Sequence, residues 1–367
     1  MANLILKPST GGVLKIQNDA GNVDALTVST AGNLTAAGNT TLAGLIITAS
    51  SAPSSPTIGQ VYYNSTDKTL YVYDGTNFRH VSERAGKAIG GTVTSYIKGS
   101  TTYIVHTFLE SGTFTPYSAF NVDAIVVAGG AGGGASHNIP GGGGGGGVLI
   151  GTGAAVVATD YTVTIGGGGA LATNGYNSII TGNSQTLTAV GGGKGGTGDT
   201  SSPEDGQSGG CGGGACFNSS GGSGTQANGT FGGQTFTGYG NDGGNGGGSG
   251  SLHPGGGGGG AGKAGHDVPN NNVHGDGGSG IQNDFRTGTN IYYSGGGAGG
   301  SWTTGSADRT PKGGKGGGGN GGNKAGAANP GGTPGEENTG GGGGGGSHST
   351  ANSQAGGSGI VVIRYSL

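Results

Sequence analysis

Charge is scarce in this chain: 15 Lys and Arg against 18 Asp and Glu in 367 residues leave a net charge of −3 and no basic stripe. Binding to nucleic acid or to an acidic membrane surface needs clustered Lys and Arg, so neither is expected. Two cysteines, Cys211 and Cys216, support neither a four-ligand zinc site nor a secreted disulfide scaffold. The glycines between them leave a short Cys–Cys loop and two free thiols as open alternatives. Eleven prolines, with glycines contiguous rather than at every third position, exclude a collagen triple helix. No apolar run has the length of a membrane span or of a signal-peptide core, and residues 1–44 carry no basic leader. Neither membrane insertion nor export by the usual route is expected.

Patterns that carry chemistry are equally thin. G-x-G-x-x-G recurs by accident in polyglycine, but no copy follows a strand and opens a helix, as dinucleotide binding requires. A phosphate-binding G-x-x-x-x-G-K-[ST] is missing because Lys194, Lys263 and Lys315 are followed by Gly or Ala. Asp242, in GYGNDGGNGGG, lacks the recurring Asp and apolar partner of a calcium-binding glycine repeat. His137, His253, His266, His274 and His348 form no metal-ligand spacing and read as loop residues. Polysaccharide hydrolysis needs two carboxylates about 5–9.5 Å apart on a rigid surface. The adjacent pairs Glu204-Asp205 and Glu336-Glu337 read instead as solvated loop residues. No catalytic residue, metal or cofactor is expected.

What is present is glycine, 100 residues of it, gathered into blocks at 129–134, 141–147, 166–169, 191–196, 209–214, 243–248, 255–260, 295–300, 313–322 and 340–346. Glycine loses more backbone freedom on folding than any other residue, which favours disorder. The alternative is an array of extended, left-handed, three-per-turn strands, packed closely enough for N–H and C=O groups to bond sideways in several directions. Ordering costs roughly 1–2 kcal/mol per residue, while a backbone hydrogen bond returns about 0.5–1.5. Such an array needs anchors at its ends. They are visible as β-branched and aromatic runs at 103–108 (YIVHTF), 112–115, 122–127 (VDAIVV) and 360–365 (IVVIRY), with further strand candidates at 161–165 and 178–190. A disordered tail has no reason to end in IVVIRY.

The chain divides into four segments. Residues 1–50 read as an N-terminal fibre or attachment segment whose apolar residues, among them Leu14, Ile16, Leu26, Val28 and Leu34, are too thinly spread to bury themselves within one chain. Residues 51–86 read as a small β-meander with strands at 60–63, 69–73 and 77–81, an Asp74-Gly75 turn, and a core of Tyr62, Tyr63, Tyr71, Tyr73 and Phe78. Residues 87–101 read as a linker, and 102–367 as a glycine-rich tip domain. The expected fold class is all-β plus polyglycine II: a short β fibre segment, the meander, then a glycine-rich bundle capped by short strands, with essentially no helix.

The motifs LKPSTGGVLKIQNDAG (6–21), GNLTAAGNTTLAG (32–44) and IGQVYYNSTDKTLYVYDGTNF (58–78) resemble the amino-terminal parts of bacteriophage tail-fibre proteins. HTFLESGTF (106–114), VDAIVVAGGAGGG (122–134) and GGSGIVVIRY (356–365) resemble the glycine-rich domain frequent at the ends of such proteins. In glycine-rich adhesins at the fibre tips of T-even-like phages, glycine blocks form a polyglycine sandwich and the loops between them carry host specificity. The resemblance implies a non-catalytic tail-fibre or tail-tip adhesin on the virion. It implies a homotrimer that attaches to other tail proteins through its N-terminal segment and recognises a host surface glycan or outer-membrane protein. The rival reading is a purely structural glycine-rich fibre without a receptor. The interruptions, which differ in length and carry unrelated aromatic residues, favour the adhesin.

A glycine surface has little with which to discriminate partners, so contacts are expected in inserts bearing exposed aromatic and charged side chains. Residues 284–293 (DFRTGTNIYY) offer Phe285, Arg286, Tyr292 and Tyr293. Residues 301–309 (SWTTGSADR) offer Trp302 and Arg309, and His253 and His274 are second choices. Packing of Trp302, Tyr292 and Tyr293 as a brace for the bundle is the alternative for each. Within the lattice, valine at Gly143 or Gly257 is expected to prevent folding, and substitution at Gly224, in a mixed Ser/Gly segment, to matter less.

Overall fold

The computed structural model describes residues 52–64, 69–80, 86–135, 140–198, 204–247, 254–269, 273, 275–302, 310–324, 331–347 and 353–367, and the backbone of three strands before them. These residues are strands, turns and extended glycine segments, with no helix among them. The chain separates into two compact units, Met1–Arg84 and Ala85–Leu367.

In the first unit, β1 (Leu14–Gln17), β2 (Asp24–Val28) and β3 (Leu34–Ala36) form an antiparallel sheet in sequence order. The meander follows as β4 (Val61–Asn64), β5 (Thr69–Tyr73) and β6 (Phe78–His80). Asp74 closes its second turn by accepting the amides of Thr76 and Asn77 at 2.8 and 2.7 Å, and Gly75 supplies φ of +102°. The aromatic residues pack on one another: Tyr62 stacks on Tyr71 at 5.0 Å and meets the Phe78 edge at 4.7 Å. They are core, as a unit this small requires.

The second unit begins earlier than residue 102. Its strands are β7 (Ala88–Ile89), β8 (Thr92–Lys98), β9 (Thr101–Phe108), β10 (Gly112–Pro116), β11 (Phe120–Val127), β12 (Val148–Val156), β13 (Tyr161–Thr164), β14 (Ser178–Gly182) and β15 (Gln185–Ala189). Then come β16 (Gly229–Phe231), β17 (Gln234–Tyr239), β18 (Ile281–Asn283), β19 (Ile291–Tyr293), β20 (Ser301–Trp302), β21 (Asn323–Lys324) and β22 (Ile360–Ser366). The expected linker at 87–101 is thus two strands and a hairpin: Thr92–Lys98 alternates β-formers and pairs with β9 across a turn at Gly99, φ +63°.

A seven-stranded sheet runs β16-β17-β12-β11-β22-β9-β8, and a five-stranded sheet runs β15-β14-β13-β10-β7. Side chains alternate across the large sheet with the two-residue period of a strand. Phe108, Val122, Ala124, Val126, Val361 and Ile363 face the smaller sheet, where they meet Phe114, Tyr161, Val163, Ile180 and Leu187. Val105, Ile125, Val127, Val148, Ile360 and Val362 form a second core on the opposite face, with Cys211, Phe285 and Tyr293. Burial on both faces explains why VDAIVV and IVVIRY are almost continuous apolar runs. The terminal strand β22 lies between β11 and β9, so the last residues of the chain close the sheet that opens the glycine region.

The bonding period changes where strand gives way to glycine. β11 and β12 pair down to Val127 opposite Val148. Beyond that point the amides of Ala128, Ala131 and Gly134 donate to Gly147, Gly144 and Gly141 at 2.9–3.0 Å, one bond in three residues. The two amides in between turn elsewhere: Gly129 and Gly132 donate to Tyr176 and Thr173, Gly130 and Gly133 to Gly357 and Gln354. Block 141–147 repeats the pattern, with Gly141, Gly144 and Gly147 on Gly196, Gly193 and Val190, Gly142 and Gly145 on Gly256 and Gly259, and Gly143 and Gly146 on Gly343 and Gly340. Each interior block therefore donates to three neighbouring segments at once, and its carbonyls accept from others: block 141–147 also accepts from Ala131 and Gly134, from Cys211 and Gly214, and from Gly297. This is possible because the interior glycines carry no Cβ: one built on Gly143 would overlap the carbonyl oxygen of Ala131, and one on Gly257 that of Asp276.

Candidate functional site

Following the blocks outward from the sheet separates the inserts into two sets. The hairpin of β18 and β19 lies on the sheet side, where Ile281 pairs with Tyr293. Phe285 and Tyr293 are 6% and 1% exposed and belong to the second core, which corrects the expectation of an exposed contact at Phe285 and, at Tyr293, favours the packing alternative over the contact. The reason is a partner far away in sequence. Arg364, on β22, places its guanidinium 3.9 Å from the Phe285 ring and 4.5 Å from the Tyr103 ring. It donates to Asp123 at 3.0 Å, Asp284 at 3.2 Å and the Tyr96 hydroxyl at 2.6 Å. Burial alone would raise the Asp284 pKa, but bonds from Lys98 and the charge of Arg364 hold it below the ordinary carboxylate value. Arg286 and Tyr292 stay half-buried at the rim. Tyr292 carries the Lys315 ammonium 5.4 Å from its ring centre.

At the opposite end the bonds join residues that flank the remaining inserts. Ala135 donates to the Thr197 hydroxyl at 3.3 Å, Gly300 to Pro140 at 2.9 Å, Gly255 to Gly300 at 3.0 Å and Gly247 to Pro254 at 3.4 Å. Ser301 donates to Gly322, Gly322 to Gly345, and the Ser353 hydroxyl to Gly134. The described ends bordering 136–139, 199–203, 248–253, 303–309, 325–330 and 348–352 thus meet on one end of the glycine body, away from the sheet. Trp302 is placed there by its backbone, through the parallel pairing of β20 with β21 that sets it opposite Lys324. Arg309, His253 and His274 lie outside the described residues.

Acidic and amide side chains along the flanks act on the backbone. Asp242 accepts the Gly224 amide at 2.8 Å, Asp205 that of Ser220 at 2.7 Å, and Asp267 that of Asn245 at 2.7 Å. Asn174 and Asn177 do the same for Lys194 and Gly191. A block on the surface has one outward set of amides, and these side chains occupy it. Sequence reasoning missed this role, although Asn and Asp recurring beside glycine blocks is its signal. Both cysteines are free thiols. Cys211 is fully buried among apolar residues and its pKa is pushed up to about 11 by burial, while Cys216 sits beside Ser219 and Glu204. Five residues of three-per-turn extended chain span about 15 Å, well beyond the 4.4–6.8 Å between the Cα atoms of a disulfide. Among the described residues no group of three or more His, Cys, Asp or Glu is placed to hold a metal ion.

A family model described as a glycine-rich domain matches residues 108–366. The chain belongs to this glycine-rich domain family. The match begins at the end of β9 and stops one residue before the end of the chain, so it takes in most of the large sheet and every glycine block. Neither the curated proteins nor the solved structures contain a match to the glycine-rich chain.

Proposed function

We propose that this glycine-rich domain protein is a bacteriophage tail-fibre or tail-tip adhesin, non-catalytic and trimeric, that recognises a host surface glycan or outer-membrane protein. The observation that carries the reading is the gathering of insert-bearing ends at the pole of the glycine body opposite the sheet. A body whose insert-bearing ends gather at one pole is the arrangement a recognition surface needs. The three-residue bonding period supports reading the blocks as polyglycine II, a scaffold with little recognition chemistry of its own. The resemblance of residues 6–78 to tail-fibre proteins supports the virion location and attachment through the N-terminal segment. Use of Asp205, Asp242 and Asp267 as backbone acceptors supports a role without hydrolysis.

A purely structural fibre is the second reading, and burial of Phe285 and Tyr293 favours it for the sheet-side hairpin alone. The two readings separate in an adsorption assay. Particles carrying Trp302→Ala should attach to host cells at least about tenfold more slowly, with the protein still folded and trimeric, whereas Arg286→Ala at the sheet end should attach normally. Undiminished adsorption of Trp302→Ala particles, together with normal adsorption after replacement of the insert at 303–309, would leave the structural reading.

A further inference from the structure

On the flank of the glycine body, between its two ends, a groove of about 220 Å³ is lined by Lys263, His266, Asp276, Ser279, Lys312 and Lys315 and floored by glycine backbone. We propose that this groove binds an acidic saccharide, a sugar carrying a carboxylate or phosphate, through its three lysines, with Tyr292, outside the lining but reached by the Lys315 ammonium, as a stacking platform beside it.

The floor follows from the bonding period. Gly277 and Gly280 donate to Lys312 and Lys315 at 2.8 and 2.7 Å, which sets the segment 312–315 along one wall. Lys263 and His266 donate to Ser279 and Asp276 at 2.9 and 3.0 Å, which sets 263–266 along the other. Gly278 bonds inward to Gly258, so the outward set of this strand is Asp276 and Ser279. The Ser279 amide then faces the groove, with no side-chain cap among the described residues.

The charge is unbalanced. Asp276 is the one carboxylate in the lining, and it is engaged: it accepts the Lys312 amide at 2.7 Å and lies 4.0 Å from His266. Among the described residues no carboxylate pairs with Lys263, Lys312 or Lys315, while Lys98 pairs with Asp284 and Lys194 with Glu204. In a chain of net charge −3, three lysines lining one groove, without a carboxylate partner among the described residues, are a local excess that attracts an anion. The volume is below the roughly 300–1,000 Å³ of drug-sized sites, which fits one sugar residue of a longer chain. The Lys315 ammonium lies over the Tyr292 ring, so a pyranose that stacks its apolar face there takes the place of the ammonium, which turns to the acid group; a bare anion gains nothing from the ring. The adhesin reading supplies the biological source of such a saccharide, but the groove stands on its own residues.

The test is made in solution with the full-length protein and no cells, so its failure leaves the adhesin reading untouched. Calorimetric titration with oligogalacturonate should show binding that weakens as salt is raised and is absent with the methyl-esterified oligomer. Three exposed ion pairs together amount to roughly tenfold in affinity, and K263Q/K312Q/K315Q should lose at least that, with an unchanged melting temperature. Tyr292→Ala should weaken the oligosaccharide but not inorganic polyphosphate. Equal binding of the esterified oligomer, unchanged affinity in the lysine variant, or identical behaviour toward oligogalacturonate, polyphosphate and single-stranded DNA would each overturn the proposal. Should the triple variant unfold, the salt dependence and the esterified oligomer decide in the same way.

Discussion

Remove the Arg364 guanidinium and two carboxylates, a phenol and two ring faces lose a shared partner. Truncating one member of a buried ion network costs about 3–5 kcal/mol, mostly because the remaining charges stay desolvated. Arg364→Ala should therefore lower the unfolding free energy by about that amount, read by urea titration, and Arg364→Lys should recover little because it cannot fork between Asp123 and Asp284. His106 gives a second prediction at this scale. It is fully buried, its Nδ1–H donates to Gly90 at 2.7 Å, and its Nε2 accepts from the Tyr365 hydroxyl at 3.1 Å. The neutral ring is satisfied, and burial lowers its pKa below 6.5. The unfolded chain then binds the proton more readily, so the stabilisation is complete above pH 6.5 and is lost as pH falls toward the depressed folded value. Unfolding midpoints should drop between pH 7.5 and 5, and His106→Gln, though weaker at pH 7.5, should show a smaller drop. An equal drop in both proteins would assign the acid sensitivity elsewhere. Neither residue's role was legible in sequence: Arg364 reads as one charge in IVVIRY, and its partners stand 241 and 80 residues away.

At the scale of elements, the strands and blocks were legible and their bonding partners were not. The meander, the YIVHTF, VDAIVV and IVVIRY strands and the glycine blocks carry local signals of period and composition. Thr92–Lys98 lies within the expected linker at 87–101, although its alternation and the two-residue turn to β9 mark a hairpin. Residues 284–293, expected as an exposed insert for their aromatic and charged side chains, belong to a hairpin whose burial depends on the second face of a sheet built from both ends of the domain. Inside the blocks, neighbours at bonding distance on both the amide and the carbonyl sides leave no room for a side chain. Gly143→Val and Gly257→Val should fall in or beyond the rare tail of about 4–5 kcal/mol and yield an unfolded or insoluble tip domain. Gly224, expected to be more tolerant, is itself crowded, since a Cβ there would lie 2.7 Å from the Asn241 carbonyl carbon. The useful control is Gly167, where a Cβ would have 3.8 Å to Tyr176 and the backbone is not left-handed. Gly167→Ala should be neutral or stabilising by about 0.4–1 kcal/mol, because it narrows the unfolded ensemble. Thermal unfolding of the three variants checks the ordering, and equal tolerance would mean that the blocks are not packed in solution.

For the molecule as a whole, the two units differ in what they can bury alone. Ala85–Leu367 holds two apolar cores and a glycine body, the larger sheet closed by the last strand of the chain. In Met1–Arg84 the meander has its aromatic cluster, but β1, β2 and β3 total 12 residues of strand over 23 positions. A sheet that small is marginal by itself, since short chains bury too little of their surface to offset backbone ordering. We propose that its apolar positions, Leu14, Ile16, Leu26, Val28 and Leu34, take partners from outside one copy, and closed rotational symmetry is the usual way for identical chains to supply them. Three copies would give each sheet two neighbours, the arrangement that the resemblance of residues 6–44 to tail-fibre proteins implies. Light scattering on the intact, folded protein should give a mass three times the 34.5 kDa of the chain, independent of concentration over a wide range. Changing Leu26 and Val28 to Asp should release monomers whose Ala85–Leu367 unit keeps its unfolding transition, because that unit's cores are internal. A monomeric mass for the unmodified, folded chain would remove the trimer, and with it the reason for expecting those five apolar residues to be buried.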